Sequence, residues 1–205
     1  MDRLRILHLN VGKRPAVQQS LLNDETLKDF DAMTVLEPYI FRHPRTGDPT
    51  IAQDRRWEVF RPTTTRSDGH ARHAFRAAIW VNSRCRATQI DANSYDVTAV
   101  IMHLKDRDLL LVAGYEARAA DTEAGREQDL AAMLRTLEAT VRKARQATEN
   151  GRLEVLIYGD LNRYHVLWGG YHPVRARERR GEGDRVVDFI QETGLHSLLL
   201  ARTVT

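Results

Sequence analysis

The chain has 205 residues, enough for one domain with a real core, and its 42% hydrophobic and 29% charged residues are the balance of a soluble globular protein. No apolar run approaches the roughly 20 residues that span a bilayer, and the start, MDRLRILHLN, is charged and strand-like with no signal-peptide core, so membrane and secretory classes are set aside. One cysteine, Cys85, excludes an internal disulfide and suits a reducing, intracellular setting, nuclear or cytoplasmic, while a net charge of +3 allows a nucleic-acid partner without requiring one.

Leu4–Leu9 reads as a first strand, and Pro15 opens a helix, PAVQQSLLND, where proline suits the first turn. Ala32–Leu36 is a second strand. Residues 40–55, rich in Pro, Gly, Arg and Asp, form a loop. Trp57–Phe60, Ala77–Val81, Val97–Leu104 and Leu109–Gly114 continue the strand series, with Lys105-Asp106-Arg107-Asp108 as a hairpin turn. Cys85 reads as a small strand residue. Residues 122–148 are the clearest helix: Leu130, Met133, Leu134, Leu137 and Val141 share one face, which reads as core. Asn150-Gly151 ends it before a strand at 153–158. A basic loop, 171–185, leads to a helix at Val186–Thr193, and Leu195–Leu200 reads as a last strand. Hairpin-joined strands with few crossover helices predict two packed sheets with helices outside, in a single domain over 1–205.

Chemistry concentrates in VLIYGDLNRYHVLWGG at 155–170. An apolar strand stops at Gly159 and delivers Asp160 and Asn162, followed by His165 and Trp168. A carboxylate and an amide beside a glycine suit a metal or a phosphate. An ordinary Gly-Asp turn, with Asn162 completing an Asx loop and Trp168 as core, fits the motif equally. Recurrence favours the functional reading, because three other apolar runs end in polar groups at Asn10, Glu37 and Tyr115. Strand carboxyl ends border the ligand crevice of sheet enzymes, so these five residues are expected to line one cleft. Carboxylate and amide oxygens suit Mg²⁺, with Mn²⁺ as a substitute, and the lack of soft ligands argues against zinc.

LRILHLNVGKRPAV at 4–17, TVLEPY at 34–39, the strand ending at Tyr115, GDLNRYHVLWGG at 159–170 and GEGDRVVDFIQETGLHSLLL at 181–200 together resemble the endonuclease/exonuclease/phosphatase superfamily. More closely they resemble the endonuclease domain of non-LTR retrotransposon reverse transcriptases. The resemblance implies an α/β, four-layer α-β-β-α sandwich of two mixed, mainly antiparallel sheets, and a Mg²⁺-dependent DNA endonuclease that partners a reverse transcriptase domain. It implies Glu37 as metal ligand, Asn10 at the metal and phosphate, and Tyr115 near the scissile phosphate. Asp160 would orient or deprotonate the attacking water and Asn162 would bind the phosphate, with His165 and Trp168 shaping the adjacent loop.

Two departures from the family pattern stand out. Gly12 replaces a carboxylate that some relatives carry, which lowers the expected metal affinity. The family's terminal Ser-Asp-His is absent and the chain stops at Thr203-Val204-Thr205, so the final strands are expected to be missing and the activity impaired. Two rival functions follow: a non-catalytic nucleic-acid-binding remnant using Arg163, Arg175, Arg177, Arg179 and Arg180, and a small-molecule phosphatase of the same superfamily. The arginine cluster is interleaved with Glu178 and Glu182 and reads somewhat better as a solvated loop.

Overall fold

The longest apolar runs became the central strands because both of their faces are covered. β2 (Ala32–Leu36) and β6 (Ala77–Asn82) are buried along their whole length, and β8 (Val97–His103) and β9 (Asp108–Tyr115) along nearly all of theirs. In this computed structural model residues 4–64, 74–116, 122–148, 152–169 and 181–198 are described. The Asn150-Gly151 helix stop, the four arginines at 175–180, and Leu199 and Leu200 lie outside them. The chain divides into two compact units, Met1–Tyr115 with Ala139–Gly159, and Glu116–Glu138 with Asp160–Thr205.

The first unit holds two mixed, mainly antiparallel sheets. In one, β1 (Ile6–Asn10) runs parallel to β2, which pairs antiparallel with β6, which pairs antiparallel with β5 (Trp57–Phe60). The other has the order β10-β9-β8-β7, with β7 at Arg86–Ile90 and β10 at Leu153–Asp160. β10 runs parallel to β9: Asp108 N–H donates to Arg152 O (3.1 Å) at one end, and Glu116 N–H to Asp160 O (2.9 Å) at the other. A parallel pair needs a crossover, and α2 (Glu123–Ala147) is that crossover.

Alternation along the strands builds two cores. Ala32, Leu36, Ile79 and Val81 of the first sheet pack with Val100, Met102, Leu109 and Leu111 of the second. The opposite face of the first sheet, with Met33, Val35, Ala78 and Trp80, is covered by Leu22 of α1 (Pro15–Asn23) and Leu27 of the 3-10 turn Glu25–Asp29. α1 has no side-chain N-cap; Pro15 starts it and tertiary burial of Gln18 and Leu22 holds it. On α2, Leu130, Met133, Leu137 and Val141 are buried as the periodicity predicts, and Leu134 is half-buried.

Some elements differ from expectation. The loop at 40–55 contains a hairpin, β3 (Phe41–Arg42) with β4 (Pro49–Thr50). β7 has no apolar run to betray it, because it is an edge strand with alternating exposure. Cys85 lies in the turn before β7, not on a strand. Residues 195–198 are irregular rather than a strand, and Leu198 is 76% exposed. The short helix α3 spans Val166–Gly169, and α4 spans Asp184–Thr193, closing on Gly194 in the left-handed region (φ 69°) that glycine accommodates at a helix end.

Candidate active site

β1 and β2 are parallel neighbours, so their carboxyl ends lie side by side and bring Asn10 and Glu37 together. Asn10 Nδ2 donates to Glu37 Oε2 at 3.2 Å, and Asn10 Oδ1 accepts the Gly12 N–H at 2.8 Å. Lys13 Nζ stands 3.6 Å from Glu37 Oε1. The Glu37 backbone is left-handed, with φ 46°, as is that of Lys13, with φ 58°. For a residue with a β-carbon that costs about 1–2 kcal/mol, so the surroundings must hold it. They do: Glu37 N–H donates to Arg76 O (2.8 Å), and Glu37 O accepts from Lys13 N–H (2.7 Å). Two residues on, buried Gln18 takes both backbone groups of Tyr39, accepting its N–H at 2.8 Å and donating to its carbonyl at 3.2 Å.

Tyr115 closes β9 in the same unit, with its N–H donating to Asp96 O at 3.0 Å. The Arg76 guanidinium sits 5.7 Å from the centre of the Tyr115 ring, a cation–π distance, and its Nε lies 3.6 Å from Asp96 Oδ1. Arg76 therefore touches both strand ends, through its carbonyl to Glu37 and its side chain to Tyr115. Lys13, Gln18 and Arg76 were missed by sequence reasoning. Arg76, directly before an apolar strand, reads as an ordinary boundary charge; Gly12-Lys13 after a strand end was the one legible signal.

The second unit holds the Gly-Asp-Leu-Asn turn. Asp160 Oδ1 accepts the Asn162 N–H at 3.0 Å, an Asx turn, and Asn162 is left-handed with φ 51°. Asn162 Nδ2 donates to Glu116 O at 2.7 Å, and Glu116 N–H donates to Asp160 O at 2.9 Å. Arg163 is not a surface base. Its side chain is 3% exposed and that of Glu116 1% exposed, with Arg163 Nη1 3.1 Å from Glu116 Oε2. Arg163 Nη2 also donates to Arg126 O at 2.6 Å, and Arg163 O accepts from Trp168 Nε1 at 2.9 Å. Burial pushes the Glu116 carboxyl above its ordinary range, against the pull of Arg163.

His165 and Trp168 pack together, with ring centres 5.0 Å apart. His165 Nδ1 accepts the Leu167 N–H at 3.2 Å, and Nε2 lies 3.8 Å from Asp184 Oδ1. Both residues crowd Gly183, where an added Cβ would meet His165 Cβ at 2.7 Å, Trp168 Cζ2 at 2.9 Å and Tyr164 O at 2.9 Å. The His-x-x-Trp pattern thus fastens the turn to the start of α4.

Among the described residues no three His, Cys, Asp or Glu side chains converge as a metal-ligand set. The donors at the Glu37 cluster are one carboxylate and the Asn10 amide oxygen, beside a lysine. Both are hard oxygen donors, chemically suited to Mg²⁺ or Mn²⁺ rather than zinc, although Asn10 turns its amide nitrogen to Glu37 and its oxygen to Gly12.

No family model matches the chain, and no curated protein matches its sequence. Solved structures do. The endonuclease domain of TRAS1, a telomere-specific non-LTR retrotransposon, superposes with a TM-score of 0.67 at 19% identity, covering 98% of this chain and 75% of that one. The AP endonuclease LMAP from Leishmania major gives 0.65 at 12% identity, covering 93% and 66%. A beta toxin from Staphylococcus aureus gives 0.56 at 11% identity, covering 96% and 73%. At such identities the likeness is one of fold: the chain has the DNase I-like fold of the endonuclease/exonuclease/phosphatase superfamily.

Proposed function

We propose that this chain is a divalent-metal-dependent phosphodiesterase of the DNA endonuclease type, related to the endonucleases of non-LTR retrotransposons. One observation carries the reading. Glu37, a residue that pays to adopt a left-handed backbone, is held there by three neighbouring segments with its carboxylate turned to Asn10 and Lys13. Strain maintained at a strand's carboxyl end marks a site rather than a turn.

Glu37 and Asn10 would hold Mg²⁺ or Mn²⁺, which when bound polarises a phosphate oxygen and offsets the charge that develops on it. Lys13 shares the Glu37 carboxylate and keeps cation affinity low. Tyr115, its backbone held by Asp96 and its ring beside Arg76, would lend its phenol to the substrate phosphate. Asp160 orients the attacking water and accepts its proton, and Asn162, its carboxamide restrained by Glu116, donates to the phosphate. DNA is the substrate, and a reverse transcriptase domain is the partner on a full-length element.

Calorimetric titration of Mg²⁺ into the purified chain tests the cation site without turnover. Weak binding that Glu37→Ala abolishes supports it; no heat at millimolar Mg²⁺, in either protein, contradicts it.

A further inference from the structure

Ten residues beside Glu37 are unused by this reading and are built with more care than a loop requires. Ile40 and Ile51, each 2% exposed, enter the core at the two feet of the β3–β4 hairpin. Trp80 Nε1 donates to Ala52 O at 3.4 Å just beyond, and Gln18 grips Tyr39 just before. Between these anchors residues 41–48 are exposed without interruption. The protrusion is nonetheless ordered internally. His43 N–H donates to Asp48 O (2.8 Å) and Gly47 N–H to His43 O (2.9 Å). His43 Nδ1 accepts from Arg45 N–H (3.4 Å) and Thr46 N–H (3.3 Å), and Arg42 Nη1 donates to Gly47 O (2.9 Å). Gly47 supplies the left-handed turn residue at φ 74°. The hairpin presents Phe41, 37% exposed, with Arg42, His43 and Arg45 against the single acid Asp48.

We propose that this hairpin is a nucleic-acid contact that docks duplex DNA beside Glu37, Arg42 and Arg45 meeting phosphates and Phe41 meeting a groove wall. The proposal rests on the phosphodiesterase reading and names the substrate surface for it. A two-stranded ribbon is narrow enough for a major groove about 12 Å wide. Its cations match a polyanion, and its internal bonds mean that little ordering entropy is lost on docking. Arg42 also orders the turn through Gly47 O, but a hairpin serving only as a connection would need neither the exposed aromatic nor Arg45.

The test is fluorescence anisotropy of a labelled 20-base-pair duplex with the full chain, without Mg²⁺, over a salt series. R42A/R45A should raise Kd about tenfold or more at physiological salt and reduce the log–log salt slope by about two, one per lost phosphate contact. Phe41→Ala should weaken binding with the slope unchanged. R42K/R45K, which restores the charges, should recover the slope. The control R135A/R142A removes two exposed arginines from α2 and should change Kd much less. Thermal melts confirm that each variant folds. Equal weakening by the hairpin pair and the control pair, or no effect of the hairpin pair, overturns the proposal. Mg²⁺-dependent hydrolysis of bis(p-nitrophenyl) phosphate, too small to reach the hairpin, reports the Glu37 site alone. Its absence counts against the phosphodiesterase reading and leaves the DNA-docking result standing.

Discussion

Arg163 shows why residue type alone misassigns a charge. In sequence it sits among polar neighbours and counts as one more phosphate binder; in the fold it is buried against Glu116 and caps the Arg126 carbonyl. Nothing local in the sequence marks it, because its partner lies 47 residues away. Breaking a buried pair from one side strands the other charge, so Arg163→Ala should destabilise the chain by about 3–5 kcal/mol in a urea melt. Replacing both partners, as in E116L/R163M, should cost much less. Glu37 and Asp160 drew attention in sequence because each ends an apolar run, whereas Arg76 and Gln18 did not, because their contacts depend on which strands and helices lie beside them. Cys85 offers a separate check. Burial first, and then the Asp31 carboxylate, push its thiol above its ordinary value, so less thiolate is present near pH 8 than for a free thiol. Its reaction with a disulfide reagent should therefore run slower than that of glutathione at the same pH.

Elements were legible in proportion to their burial. β2, β6, β8 and β9 are covered on both faces and read as unbroken apolar runs. β7, polar and half-exposed, carries a register set by β8 rather than by its own pattern, with Thr88 opposite Ile101. Residues 195–198 differ the other way: an apolar run forms a strand only where a neighbouring strand is there to pair, and they have none among the described residues. The element least obvious in sequence is the contact of the His-x-x-Trp turn with α4, which depends on a single missing β-carbon. Gly183→Ala places that atom against a backbone carbonyl as well as two side chains, and trimming the rings cannot relieve all of it. The substitution should cost about 1–3 kcal/mol by denaturant melt, with Trp168→Ala recovering only part in the double variant.

For the whole molecule, the fold followed from binary patterning, turn chemistry and one long amphipathic helix, and the superposition on endonucleases bears out the two-sheet sandwich. Its stability rests on the seam between the sheets: Leu111→Ala should remove about 2–5 kcal/mol, because the site is fully buried and cannot collapse. The functional reading rests on a set of polar strand ends. The central claim is that Glu37 and Asp160 serve metal-dependent cleavage of a phosphodiester. Nicking of supercoiled plasmid by the purified chain, with and without Mg²⁺, tests it most directly. The account predicts nicking that EDTA abolishes, that Mn²⁺ restores, and that falls by about 10²-fold or more in Glu37→Ala and in Asp160→Ala. Nicking that persists in EDTA, or that both variants retain at the wild-type rate, would contradict it.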